Sequence, residues 1–223
     1  MGHPAIDNQT PYAVAPSYAA DEQGRPLLVV LVQATFALVA GPQLVLAEEQ
    51  RAPSLPGVLW GADAATSSYK IEPAVAFTKV ATDVVLVGHA RSAQPTPEVT
   101  VALRVGPLGK AVRVLGNRIW RRSGGQIQAT APVPFFAMPL VYERAFGGWD
   151  CSDRDPAKHG YEPRNPVGVG YRANASDARS FEEGIALPNL EDPADPIRSF
   201  GQSVTPAGFG FVSPGWQPRA QLA

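Results

Sequence analysis

Among 223 residues there is one cysteine, Cys151, and there are three histidines, His3, His89 and His159. A lone thiol excludes an internal disulfide and any multi-cysteine metal site, and with them the stapled frameworks of small secreted domains. The histidines are too far apart to pair at i, i+4 on a helix, so no metal and no cofactor is expected. An excess of charge is missing as well: 19 basic against 20 acidic residues leave a net −1. Without a positive field a surface gains little from counterion release, so nucleic acid is not an expected partner. Long apolar runs are also lacking. The longest, Leu27–Leu38, has 12 residues and contains Gln33 and Thr35, too short to cross a bilayer as a helix. Met1–Pro16 has neither the basic start nor the apolar centre of a signal peptide. A cytoplasmic protein with no membrane partner is expected.

What is abundant is turn chemistry. The chain holds 21 glycines and 23 prolines, about a fifth of its residues against about 12% on average, which predicts many turns and little helix. Its 45% hydrophobic and 17% charged residues are those of a folded chain. The apolar spacing is that of strands. In Leu27–Leu38 every even position is apolar, which predicts one long strand buried on that face throughout and on both faces at its start. Thr82–Ala90 predicts another strand. Val99–Val105, Lys110–Leu115, Arg118–Trp120 and Gln126–Thr130 predict a four-stranded antiparallel meander. Its turns would lie at Gly106–Gly109, at the hairpin-favouring pair Gly116-Asn117, and at Gly124-Gly125. The expected fold is mainly β, an antiparallel sandwich- or barrel-like core. One domain is expected over residues 1–223: a β-rich core at 1–131 and an ordered, loop-rich half at 132–223 packed on it. Prolines break that half repeatedly, and only Ala175–Glu183 predicts a helix.

Candidate chemistry concentrates in the loop-rich half. Gly168-Val169-Gly170-Tyr171-Arg172-Ala173 has the letters of a dinucleotide-binding turn, but Pro163 and Pro166 stand where the motif needs a strand. Cys151 and His159 lack any thiol-enzyme context, and Gly201-Gln202-Ser203 lacks the second glycine of a nucleophile elbow. Glu143, Asp150, Asp153, Asp155, Glu191 and Asp192 are the acids from which a paired-carboxylate hydrolase would draw. Arginines nearby offer them structural pairing instead. The half is also rich in Phe, Tyr, Trp and Arg, a composition that suits protein interfaces.

Several segments, read in order, resemble one family. They are Phe77-Thr78-Lys79 with Thr82-Asp83-Val84, Gly116-Asn117-Arg118-Ile119-Trp120, and Met138 to Gly148. Asn165 to Tyr171, Leu187 to Glu191, Pro206 to Gly210 and Trp216-Gln217-Pro218-Arg219 follow. Their order and character, with Gly24-Arg25 and the strand through Thr35-Phe36, resemble the bacterial domain of unknown function 2169 family. The resemblance implies an adaptor or chaperone of the type VI secretion system. Such a protein binds a secreted effector, or its PAAR-type tip protein, and assists its loading onto the spike. It implies no catalytic residue. The partner-binding candidates within these segments and their surroundings are Tyr142, Arg144, Phe146, Trp149, Asn165, Asn189, Glu191, Trp216 and Arg219. Two departures stand out: Val80 occupies a position that is often proline in the family, and the family is expected to run on past Arg219, so a short member or a truncated chain is expected. The alternative readings are the paired-carboxylate hydrolase and a structural component of the secretion apparatus.

Overall fold

Short alternating segments divided by turn residues fold here as short strands. Among the described residues strands and bridges take 39% and helix 4%, and no helix reaches seven residues. The fold is mainly β with antiparallel sheets. The computed structural model describes residues 5–75, 81–173, 181, 184–217 and 219. The helix expected over Ala175–Glu183 lies outside the described residues apart from Phe181, and so does Phe77-Thr78-Lys79. Among the described residues no helix is long and apolar enough to cross a membrane.

The chain forms two compact units, one of residues 1–58 with 71–82 and one of residues 59–70 with 83–223. In the first, β1 (Ala13–Ala20) and β2 (Pro26–Gln33) make an antiparallel ribbon from Ala13↔Gln33 to Ala20↔Pro26. Asp21 closes its turn by accepting the N–H groups of Gln23 and Arg25 and the Arg25 side chain. The strand expected to reach Leu38 stops at Gln33. There the Gln50 side chain takes over, accepting from the Thr35 N–H at 2.8 Å and donating to its carbonyl at 3.0 Å. Beyond it the short β3 (Phe36–Ala37) pairs with β4 (Val45–Leu46). The expected burial is also reversed: Leu28, Val30 and Val32 are 45, 47 and 59% exposed, while Val29, Leu31 and Gln33 are half-buried. Alternation identifies a strand, but the more apolar face is the one left in solvent. Two short strands, β5 (Val58–Leu59) and β6 (Tyr69–Ile71), lie where the chain passes from one unit to the other.

In the second unit, β7 (His89–Thr96) pairs with β12 (Phe135–Pro139). The strand expected at Thr82–Ala90 is displaced to this position. Residues 82–88 are irregular, and Leu86 instead donates its N–H to the Phe209 carbonyl at 2.9 Å. The hairpin of β8 (Glu98–Val105) and β9 (Leu108–Leu115) is present, with a turn of only Gly106 and Pro107. A second hairpin joins β10 (Trp120–Ser123) to β11 (Gln126–Ala129) through Gly124 and Gly125, whose φ of +56° and +81° suit a type I′ turn.

The two hairpins do not form one meander. Gly116-Asn117 is no hairpin loop: Gly116 donates to the Pro97 carbonyl, and Val133 donates to that of Asn117. A side chain at Gly116 would collide with the Val133 carbonyl, so close backbone approach is what requires glycine here. The free edge of β9 is taken by β17 (Leu190–Glu191), giving the order β17-β9-β8. The remaining strands are two residues each: β13 (Phe146–Gly147) runs parallel to β16 (Val169–Gly170), and β14 (Trp149–Asp150) antiparallel to β15 (Gly160–Tyr161). The core of this unit packs Val112, Val114 and Leu190 with Met138, Leu140, Phe209 and Trp216.

Candidate functional site

Among the described residues between Leu140 and Trp216 the backbone has few ladder partners, and buried polar side chains take their place, as unpaired peptide groups demand. Asn165 is fully buried. Its Nδ2 donates to the carbonyls of Tyr142 (2.8 Å) and Phe146 (2.9 Å), and its own carbonyl accepts from Gly148 and Gly168. Gly147, Gly148 and Gly168 crowd this point so closely that any side chain on them would strike backbone or the Asn165 amide. The glycine pattern at 168–170 serves the parallel contact of β13 with β16.

Asn189 joins the end of β9 to a single 3-10 turn at Tyr142–Arg144. It donates to the Leu115 carbonyl and to Asn117 Oδ1, and its own Oδ1 accepts from Arg144 at 2.9 Å. Glu191, facing Arg113 across β17 and β9, has a fully buried carboxylate. Its Oε1 lies 2.5 Å from Arg118 and its Oε2 3.6 Å from Arg113, which also forks onto Glu98 at 2.5 and 2.6 Å. The result is a neutral row of two acids and two arginines across the sheet.

Tyr142 meets Trp216 edge to face at 5.6 Å, and Gly208 and Gly210 let the backbone lie on its ring. Burial pushes its hydroxyl up to about 12. Arg219 donates to the Val212 carbonyl at 2.7 Å. Of the nine candidates, then, Tyr142, Phe146, Asn165, Asn189, Glu191 and Trp216 are buried, Arg144 and Arg219 are half-buried, and Trp149 is 57% exposed. Trp149 stacks on Tyr161 across β14 and β15, with ring centres 4.4 Å apart.

Each of the six acids has partners of its own. Glu143 accepts from the Ser67 hydroxyl and from the Ser68 N–H and hydroxyl. Asp150 accepts from Ser152 and the Ala173 N–H and lies 3.5 Å from Arg172. Burial pushes its carboxyl up, but these donors outweigh burial and hold it below its ordinary value. Asp153 takes the Asp155 N–H and pairs with Lys158. Asp155 caps the 3-10 turn Pro156–Lys158, and Asp192 accepts from Ala194. Cys151 is exposed, while the His159 ring is engaged 2.8 Å from the Asp153 carbonyl.

Three parts of this framework escaped the sequence reading. Glu162, bound to Arg164, which in turn donates to the Val204 carbonyl, looks like ordinary loop charge. Ser67-Ser68 carries no motif. Gly208-Phe209-Gly210 was legible as a segment, but the ring it accommodates lies 66 positions earlier in the chain.

No curated protein and no solved structure shows a significant similarity to the chain. A family model does match, over residues 23–223, and its description is that of an uncharacterized protein conserved in bacteria. With so much of its length matched, the chain belongs to the bacterial family DUF2169.

Proposed function

We propose that the protein is an adaptor that binds a secreted effector of a type VI secretion system, or its PAAR-type tip protein, and stabilises it before loading onto the spike. The order of segments across the chain supports this reading, and so does its balanced charge, which suits protein partners better than phosphates. The observation that carries it against the hydrolase is the state of the six acids. Each is bound to a serine, an arginine, a lysine or a turn N–H, the structural pairing that competes with a catalytic role. An adaptor has to release its cargo, which sets its affinity in roughly the nanomolar to micromolar range. By binding only the folded effector it raises that protein's stability through mass action, with no covalent step. Such loading would take place in the bacterial cytoplasm.

The test is to co-express the chain with the secreted protein encoded beside it. A complex that survives size-exclusion chromatography, together with cargo that is less soluble and less secreted without the chain, is expected. Unchanged solubility and secretion with no complex would overturn the adaptor. Stable incorporation of the chain into the secreted particle would favour a structural component.

A further inference from the structure

We infer that the outer edge of β2 is a docking edge, and that its occupant is an extended segment of the partner protein, carrying apolar residues at alternate positions, added as a third strand. This rests on the adaptor reading and gives it a surface. Edge strands are normally guarded by charge, proline or a bulge, because their free N–H and C=O groups recruit other strands. The ribbon is guarded on one side only. Pro16 stands in the middle of β1, opposite Val30, in an unbroken register of eight pairs. A proline has no N–H to give, so an intact ladder places its nitrogen on the outer side and blunts that edge.

In an antiparallel pair, residues opposite each other turn their N–H and C=O groups either both inward or both outward. Val30 therefore points outward too, and so do Leu28 and Val32, two residues to either side of it. All three side chains are exposed. One short stretch thus offers three N–H donors, three carbonyls and an apolar face together.

Nothing on β2 guards them. From Leu27 to Gln33 it has no proline, and neither β1 nor β2 has a charged residue. The edge strand of the second unit's sheet, β8, differs in carrying Glu98 and Arg104. Among the described residues no strand pairs with the outer edge of β2. An incoming strand would gain main-chain hydrogen bonds from its backbone and specificity from its alternate side chains. With no formal charge on the ribbon, selection falls on an apolar alternating segment and not on an acidic or basic one.

The experiment is residue-resolved amide exchange on the full chain, alone and with the secreted protein encoded beside it. The N–H groups of Leu28, Val30 and Val32 are expected to gain protection in the complex, while those of Val14 and Tyr18 do not. Val30→Pro removes an outward N–H without costing a ribbon bond, and is expected to weaken the complex about tenfold or more with an unchanged melting temperature. Leu28→Lys with Val32→Lys keeps every backbone group, guards the edge with charge, and is expected to do the same. A complex that forms with no added protection at these three amides, or that tolerates both variants, overturns the docking edge and leaves the adaptor standing. Protection of the same amides in the chain alone, with dimers in solution, overturns it in favour of a second copy. Absence of any complex overturns both readings.

Discussion

The ribbon of β1 and β2 and the irregular chain from Leu140 to Trp216 are built on opposite plans. The ribbon has eight consecutive backbone pairs, yet none of its residues is buried. The irregular chain has strands of two residues, yet it holds Phe146, Asn165, Leu190 and Glu191 at 2% exposure or less. Regular pairing and deep burial are therefore separable. In the second region the work of a ladder falls to a few amides, guanidinium groups and carboxylates, each indispensable because each is buried. In the first it falls to main chain, and the side chains are left available.

The sharpest way to break this contrast is at the carboxylate of Glu191. Glu191→Ala leaves Arg118 buried beside an empty site, and a loss of about 3–5 kcal/mol is expected in urea denaturation. Asn165→Ala should cost about 1–3 kcal/mol, because the Tyr142 and Phe146 carbonyls lose their donor inside the core. Thermal melting checks it, and an unchanged midpoint would mean that the irregular chain does not depend on its amides.

A pH series comes next in size. Asp150 and Glu162 are held below their ordinary values of 3.8 and 4.5, Glu162 because the Arg164 hydrogen bonds outweigh burial. Their folded values are depressed, so their contribution is complete above the ordinary values and disappears as pH falls through the folded ones. Stability should therefore decline below about pH 4.5, and Asp150→Asn with Glu162→Gln should flatten that decline in melts run from pH 7 down to 3. The smallest effect belongs to the ribbon. Val32→Thr, on an exposed face, should move stability by no more than about 0.5 kcal/mol, whatever it does to binding.

How much of this was legible depends on range. The β8–β9 hairpin could be read because Val99, Val101, Leu103 and Val105 alternate next to a turn, a signal contained in a dozen residues. The partner of β9 could not. Leu190-Glu191 is too short for any periodicity, and the reason it pairs there is Arg118 and Arg113 meeting its carboxylate from more than 70 positions away. Gly116-Asn117 was misread for the same reason. Its letters fit a hairpin, while its glycine answers to Val133 and its asparagine to Asn189. On β2 alternation gave the strand but could not say which face the rest of the unit would cover. Asp153, Asp155 and Asp192 were read well as turn partners, because small-loop capping is itself local chemistry, whereas the serines that hold Glu143 lie 75 positions and more away.

The binding of Ser67 and Ser68 to Glu143 has a topological consequence. Residues 59–70 lie between two stretches of the first unit but belong to the second, so the chain passes from one unit to the other after Val58, Lys70 and Thr82. Neither unit is a continuous stretch of polypeptide, and no choice of start and stop codon isolates one intact. A fragment beginning at Asp83 would retain Glu143 while lacking both serines that donate to it. A protease cutting once after Thr82 would sever those same serines from the rest of their unit, leaving only non-covalent bonds to hold the two products together.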